Sequence, residues 1–114
     1  DTAKVQNSMI AEGCEIEGEV DFSVLFANVE VEEGAVVKDS IIMPGSVIKA
    51  GAKVQYAIVA ENVTVENGAC VGKRPEDMAD INDWGVAVVG PNVTVGEGAC
   101  VEPKAMVGED VKGA

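Results

Sequence analysis

The side chains best suited to binding chemistry lie close together in one irregular segment, residues 72–88. Lys73 and Arg74 are adjacent cations, and Arg74 and Trp84 are the only arginine and the only tryptophan in the chain. Paired cations suit a phosphate group or the carboxylates of another protein, and a tryptophan often anchors an interface. Lys73, Arg74 and Lys49 are therefore the candidate phosphate- or effector-binding residues. The alternative is that these charges are only solvated and that Trp84 folds back over the wall of the domain.

Side chains for acid–base or metal chemistry are scarce. The sequence contains no histidine, which is the only side chain with an unperturbed pKa near neutrality and is a common zinc ligand. The three cysteines, Cys14, Cys70 and Cys100, do not have the spacing of a metal site. We predict three free thiols, with Cys14 facing inward and the other two outward, as in a reducing cytoplasm. No catalytic residue, metal site or cofactor is predicted within this chain.

The net charge of −12 argues against two classes of partner. Nucleic-acid phosphates and anionic membrane surfaces would both be repelled. The sequence contains no stretch of 18 apolar residues and no charged-then-apolar leader. A length of 114 residues predicts one domain, 1–114, and we expect it in the cytoplasm. A start at Asp1 rather than at Met suggests a fragment of a longer chain.

The elements that position these residues follow from a regular aliphatic period. Between Val20 and Val71, aliphatic residues recur at steps of six or five, which add up to a unit of 17 residues. Neither a helix nor an isolated strand has such a period, whereas a solenoid does. We predict an all-β solenoid of about six three-sided coils, interrupted at 72–88, where Asp77 and Asp83 fall on inward positions. The inward residues are Val5, Ile10, Ile16, Val20, Leu25, Val31, Val37, Ile42, Ile48, Val54, Val59, Val65, Val71, Val89, Val95, Val101 and Val107.

The corners between these steps fall into two kinds. In the six-residue steps the fourth residue is Gly, Asn or Asp at ten of eleven corners, which predicts a left-handed backbone there. The five-residue steps carry Ser8, Ser23, Ser40 and Ala57 at that place, and we expect no positive φ at these short corners. The fifth residue of every step is expected to point inward as well. At the short corners this rule selects Met9, Val24, Ile41 and Ile58.

Residues 17 apart should stack, so Phe26, Met43 and Ala60 form a column on one outer face. Val47 is assigned to the same wall. Because a stacked apolar column is unusual on a free surface, we predict that these residues and Trp84 contact another domain or subunit. The alternative is that the column only packs within its own wall.

This pattern resembles the hexapeptide-repeat, left-handed parallel β-helix family. The left hand is implied by the resemblance alone, since parallel crossovers are otherwise right-handed, and a right-handed β-helix is the structural alternative. Acyltransferases of this class use a histidine as general base, and related carbonic anhydrases bind zinc through three histidines. The absence of histidine therefore argues against both activities.

A more specific resemblance is to the carboxy-terminal β-helix of bacterial glucose-1-phosphate adenylyltransferases, carried by residues 14–26, 34–48 and 84–90. It implies a parent that makes ADP-glucose and pyrophosphate from ATP and glucose 1-phosphate with Mg²⁺, in glycogen biosynthesis. Catalysis would lie in an amino-terminal domain outside this chain. The β-helix would pack on that domain, build a tetramer and help form an allosteric site for phosphorylated metabolites.

The effector part of the resemblance is incomplete. Enteric members carry basic residues where this chain has Glu61 and Pro91. This difference implies another effector, weak regulation, or use of Lys73, Arg74 and Lys49 instead. Some organisms also pair a catalytic with a poorly active regulatory subunit. The alternatives are the same domain of another sugar nucleotidyltransferase, such as mannose-1-phosphate guanylyltransferase, a hexapeptide acyltransferase, and a scaffold without a ligand.

Overall fold

The computed structural model describes residues 3–113, which form seventeen short strands and two 3-10 turns. The turns are Pro75–Asp77 and Ile81–Asp83. The strands are β1 Lys4–Gln6, β2 Met9–Ile10, β3 Glu15–Ile16, β4 Glu19–Asp21, β5 Val24–Leu25, β6 Glu30–Val31, β7 Val36–Lys38, β8 Ile41–Ile42, β9 Val47–Ile48, β10 Lys53–Gln55, β11 Ala57–Val59, β12 Thr64–Val65, β13 Cys70–Val71, β14 Ala87–Val89, β15 Thr94–Val95, β16 Cys100–Val101 and β17 Met106–Val107.

The strands form three parallel sheets. Each coil adds one strand to every sheet, except the last coil, which continues the third sheet only by a bridge between Val95 and Val111. The first sheet has the order β1-β4-β7-β10-β13-β16, the second β2-β5-β8-β11-β14-β17, and the third β3-β6-β9-β12-β15. In the third sheet Val31 pairs with Ile48, which pairs with Val65, and each of the three is at most 1% exposed. The predicted all-β solenoid of about six coils is confirmed.

The aliphatic residues fill the interior of the solenoid in the middle coils, where Val20 to Val101 of the predicted series are buried. The two ends are more open, because a terminal coil has a neighbour on one side only. Val5 is 44% and Ile10 37% exposed, and Val107 is half-buried. The period therefore assigns the facing of each side chain correctly, but not the burial in the end coils.

The short corners differ from the prediction in which residue points inward. Ser23, Ser40 and Ala57 are buried, whereas Ile41 and Ile58, which were expected inside, are exposed on the outer face. Side chains alternate along a strand, so the second inward position lies two residues before the next aliphatic residue. In a five-residue step that position is the fourth residue and not the fifth.

The buried serines at these corners form a hydrogen-bonded ladder between coils. The Ser23 Oγ donates to the Asp21 carbonyl at 2.8 Å and accepts from the Ser40 N–H at 3.2 Å. One coil further on, the Ser40 Oγ donates to the Lys38 carbonyl at 2.7 Å and accepts from the Ala57 N–H at 3.2 Å. The hydroxyls thereby provide an acceptor for the buried N–H groups of Ser40 and Ala57.

The short corners also have positive φ, contrary to the expectation. Asn7, Phe22, Asp39 and Tyr56, each directly before the inward Ser or Ala, have φ between 47° and 49°. A five-residue step turns in fewer residues, and a left-handed residue supplies the sharper bend. The amides at these corners bond across coils; for example, the Tyr56 N–H donates to the Lys38 carbonyl at 3.0 Å. At the long corners the prediction holds at ten of eleven positions and fails at Asp110, whose Oδ1 accepts from the Thr94 N–H at 2.8 Å.

Two of the cysteines form a disulfide, so the prediction of three free thiols is wrong. Cys70 in β13 and Cys100 in β16 are direct neighbours in the first sheet, with Cα atoms 4.5 Å apart and bonded sulfurs. Both face outward, as predicted. The pairing could not be predicted from the 17-residue repeat, because the loop adds thirteen residues and makes the separation 30. Cys14 is free and half-buried, and its Sγ donates to the Phe26 carbonyl at 3.0 Å.

Candidate docking surface

The outer face of the second sheet is apolar along its whole length. None of its six strands contains a charged or polar residue, although 25% of the chain is charged. One outward residue of each strand stacks on the next through the strand pairing. We call this row the apolar ladder; from the first coil to the last it consists of Met9, Val24, Ile41, Ile58, Val88 and Met106.

The other two walls have the polar outer faces expected of a solvated surface. The first sheet presents residues such as Glu19 and Lys38, which form an ion pair at 3.5 Å, and Lys53. The third presents Glu30 and Thr64. Parallel sheets that are apolar on both faces are normally covered on both. The second sheet therefore has the composition of a wall that another structure covers.

The apolar ladder is widened on one side by exposed side chains at the short corners. Phe22 is 61% and Val86 43% exposed. Together with Tyr56 they border a shallow groove of about 400 Å³ along the ladder, and the only charged residue in its lining is Asp39. Exposed large apolar groups gathered in this way indicate an interaction site.

The predicted column of Phe26, Met43 and Ala60 lies along the opposite edge of the same sheet, directly after β5, β8 and β11. The residues stack as predicted: the Phe26 N–H donates to the Ile42 carbonyl at 2.9 Å, and the Met43 N–H donates to the Val59 carbonyl at 2.8 Å. Phe26 is 40% exposed. Val47 was predicted to lie in this wall, and that prediction is wrong. Val47 lies in β9 of the third sheet.

The first coil leaves an apolar cavity at its open end. This cavity of about 450 Å³ lies where the column meets the apolar ladder, and it is lined by Met9, Ile10, Ala11, Val24, Leu25 and Phe26. A terminal coil exposes the edge that an inner coil would cover, and apolar side chains there favour a cap formed by other protein.

Trp84 folds back onto the solenoid from the loop. Its Nε1–H donates to the Lys73 carbonyl at 2.7 Å, and its ring meets Tyr56 edge to face, with centroids 5.4 Å apart and planes at 80°. The loop is thereby fixed against the corner between the first and second sheets. Partial burial and the neighbouring Asp39 carboxylate raise the pKa of the Tyr56 hydroxyl above its ordinary value. A contact of Trp84 with another subunit stays a prediction.

The structure does not bring the three predicted phosphate-binding residues together. Lys73 and Arg74 follow β13 of the first sheet, whereas Lys49 follows β9 of the third sheet. The Arg74 guanidinium pairs with the Asp77 carboxylate at 3.2 Å, which raises the pKa of Arg74, and Lys49 pairs with Glu66 at 3.3 Å. Binding of a phosphate by Arg74 or Lys49 would compete with these carboxylates.

A different set of cations shares a groove with Arg74. Lys38 and Lys53 on the outer face of the first sheet line a groove of about 360 Å³ with Arg74, together with Glu19 and Asp77. The sequence period gave no signal for this arrangement, because the loop that carries Arg74 lies outside the repeat.

Two further features of the described region concern metals and membranes. Among residues 3–113 there is no group of three or more Cys, Asp or Glu side chains placed to hold a metal ion. In the same part of the chain no helix has the length and apolar composition needed to cross a membrane.

Comparison with known proteins agrees with the fold. Residues 1–89 match the family model described as "GlmU-like, C-terminal hexapeptide". The glucose-1-phosphate adenylyltransferases of Bacillus thuringiensis (strain Al Hakam), Bacillus mycoides (strain KBAB4) and Bacillus anthracis are each 47% identical to it over 78 residues. The matched segment covers 68% of this chain and 20% of each relative, so the chain spans about a fifth of the length of the curated relatives it matches. With more than half of its residues matched by that family model, the chain belongs to the GlmU-like C-terminal hexapeptide family.

Proposed function

We propose that this chain is the non-catalytic C-terminal domain of a nucleotidyltransferase that makes ADP-glucose and pyrophosphate from ATP and glucose 1-phosphate, the step that leads to glycogen. The observation that carries the proposal is the 47% identity over 78 residues to proteins named glucose-1-phosphate adenylyltransferase. Mg²⁺ and ATP would act in the amino-terminal domain of the parent, which would be a cytoplasmic enzyme.

The role of the domain in that parent is to assemble and to regulate. Its uncharged second wall and its open apolar end support docking rather than chemistry, because both expose large apolar groups that bind protein. We assign the end cavity around Ile10 and Phe26 to contact with the parent's own catalytic domain. Further subunits, four in a homotetramer or a paired catalytic subunit, would use the apolar ladder, whose Met9 and Val24 also border that cavity.

A regulatory role would involve a phosphorylated metabolite as effector. Arg74 is the best placed of the predicted residues, because Lys38 and Lys53 line the same groove and the three cations there outnumber its two carboxylates, Glu19 and Asp77. Lys73 and Lys49 remain candidates at separate corners. With a net charge of −12 on the chain, an anion would bind only where such cations gather.

The experiment is a pyrophosphate-release assay on the full-length parent, alone and mixed with a catalytic subunit from a Bacillus relative. We expect release with ATP, glucose 1-phosphate and Mg²⁺, and an altered response to sugar phosphates when the β-helix domain is deleted. A GTP and mannose 1-phosphate arm tests the related guanylyltransferase activity. Activity confined to that arm would refute the proposed substrate, and a deletion with unchanged assembly and effector response would refute the proposed role.

A further inference from the structure

The apolar ladder has a symmetric order of side chains. From the first coil to the last, its residues are Met, Val, Ile, Ile, Val and Met, and this order reads the same in both directions. The register fixes this order in space, since Val24 pairs with Ile41 and Ile58 pairs with Val88. The two residues at the ends, Met9 and Met106, are the most exposed, at 73% and 82%. Flexible methionines thus lie at both ends and branched residues in the middle.

Such an order is what a face needs to pack against its own copy. We propose that the apolar ladder is the interface between two copies of this chain, packed face to face with their coils running in opposite directions. A two-fold axis lying in the interface and crossing between Ile41 and Ile58 places Met9 opposite Met106 of the second copy. It also places Val24 opposite Val88 and Ile41 opposite Ile58, so that every side chain meets one of its own kind. This is the self-complementarity that a two-fold interface requires.

The charge distribution also favours a second copy on this face. The chain carries a net charge of −12, so two copies repel each other wherever their charged walls approach. The second sheet has no charge in any strand, and Asp39 is the only charged residue lining the adjacent groove. The second sheet is thus the wall on which two copies approach with least repulsion. Added salt should strengthen the association, because it screens the remaining charges without weakening apolar contact.

The area of the face indicates how strongly two copies should associate. Six strands spaced at about 4.8 Å span about 24 Å. With a width close to the shortest extent of the molecule, 19 Å, the face measures about 450 Å² per copy, or about 900 Å² for the pair. This value is below the roughly 1,200 Å² of a stable specific interface and is typical of weak, transient contacts. The pairing should therefore be weak in the isolated chain, and it would be strengthened by other contacts in an assembly.

This inference makes the assembly role proposed above specific, but the pairing depends only on the face. Two other occupants are distinguishable from it. In a parallel pairing, Met9 would lie opposite Met9 of the second copy. An unrelated apolar partner would need no symmetry in the ladder and would leave the chain monomeric by itself.

Charge pairs at the ends of the apolar ladder separate these arrangements. The variant M9K/M106E places a lysine opposite a glutamate at both ends of the antiparallel pair, whereas M9K/M106K places lysine opposite lysine. Both sites are exposed, so both variants should fold, and their circular dichroism and melting curves should match the wild type. Net charge alone favours association of M9K/M106K, since that variant is less negative. The geometry predicts the opposite order.

The measurement is sedimentation velocity of the 114-residue chain over a range of concentrations, at low and high salt. We expect the wild type to self-associate more strongly as salt increases. At low salt, we expect M9K/M106E to associate about tenfold more tightly than M9K/M106K, from two attractive rather than two repulsive pairs. The control V47K, in the third sheet, should associate like the wild type.

Three results would overturn the pairing: a wild type that stays monomeric at all concentrations and salts, equal association of the two double variants, or tighter association of M9K/M106K. If the parent makes ADP-glucose but this chain stays monomeric, only the pairing fails. If the chain pairs as expected but the parent lacks that activity, only the proposed function fails.

Discussion

The serine ladder at the short corners allows a sharp test of how the coils are joined. Ser40 is 4% exposed, and its Oγ accepts from the Ala57 N–H and donates to the Lys38 carbonyl. Ser40→Ala removes the acceptor of a buried N–H. The Lys38 carbonyl keeps a second bond, since it also accepts from the Tyr56 N–H at 3.0 Å. The substitution therefore leaves one buried N–H without an acceptor, which should lower the free energy of unfolding by about 1–3 kcal/mol.

The same substitution in the first coil, at the open end, supplies the control. Ser8 makes the same two kinds of hydrogen bond, to the Gln6 carbonyl and from the Ser23 N–H, but it is only half-buried, so water can replace the lost hydroxyl. We expect Ser8→Ala to cost less than about 1 kcal/mol. In thermal unfolding followed by circular dichroism, the Ser40 variant should melt roughly 5–15 °C below the wild type, and the Ser8 variant within a few degrees of it. Equal shifts for the two variants would show that the ladder does not contribute through buried hydrogen bonds.

Three further predictions follow from the interior, the loop corner and the first sheet. Ile48→Asp places a carboxylate at a site with no exposure and should cost several kcal/mol; a shift in melting of only a degree or two would show that the site is not interior. Tyr56 is the only tyrosine, so absorbance titration follows it directly. Because its pKa is raised in the folded protein, its contribution to stability should be complete below the ordinary pKa of 10.0 and fall as pH rises through the folded pKa. Asp39→Asn should lower the Tyr56 midpoint, and an unchanged midpoint would rule out the carboxylate as a cause. Finally, thiol counting on the denatured protein should give one reactive thiol without reductant and three with it, whereas three in both would refute the Cys70–Cys100 bond.

The sequence period predicted the interior of the solenoid because every inward position repeats the same physical demand. A coil of fixed size favours a branched apolar side chain at the recurring aliphatic position, as the stack of Val31, Ile48 and Val65 illustrates. The long corners were equally readable, because Gly and Asn tolerate a left-handed backbone at low cost. Each coil requires the same residue types at the same positions, so a position assigned in one coil supports the equivalent assignment in the others.

The 17-residue period did not predict the backbone conformation of the short corners or the residues of the docking surface. Left-handed residues there include Phe22 and Tyr56, which are not typical of such positions, so composition gave no warning. The rule that the fifth residue of each step points inward therefore assigned Ile41 and Ile58 to the interior. Because of this error of one residue, the sequence analysis did not predict the apolar ladder. In a strand, a shift of one residue reverses the facing of every side chain.

Features that depend on the loop also escaped prediction. The disulfide joins residues that are one 17-residue repeat apart only after the thirteen extra residues of the loop are subtracted from their separation of 30. The groove shared by Lys38, Lys53 and Arg74 depends on where the loop folds back, which no repeat determines. The folding of Trp84 back over the wall was one of two alternatives, and its contact with Tyr56 was not predicted.

Methionine oxidation in the assembled parent is the most direct test of whether the second wall is covered. Met9 and Met106 are the most exposed of the large apolar side chains described, whereas Met78 is half-buried and lies in the loop next to Asp77, which lines the groove on the first sheet. Oxidation by hydroxyl radicals, read by mass spectrometry, should slow severalfold at Met9 and Met106 on going from the dilute 114-residue chain to the full-length assembly. The rate at Met78 should stay the same. Equal rates at Met9 and Met106 in the two states would contradict an interface on the apolar ladder.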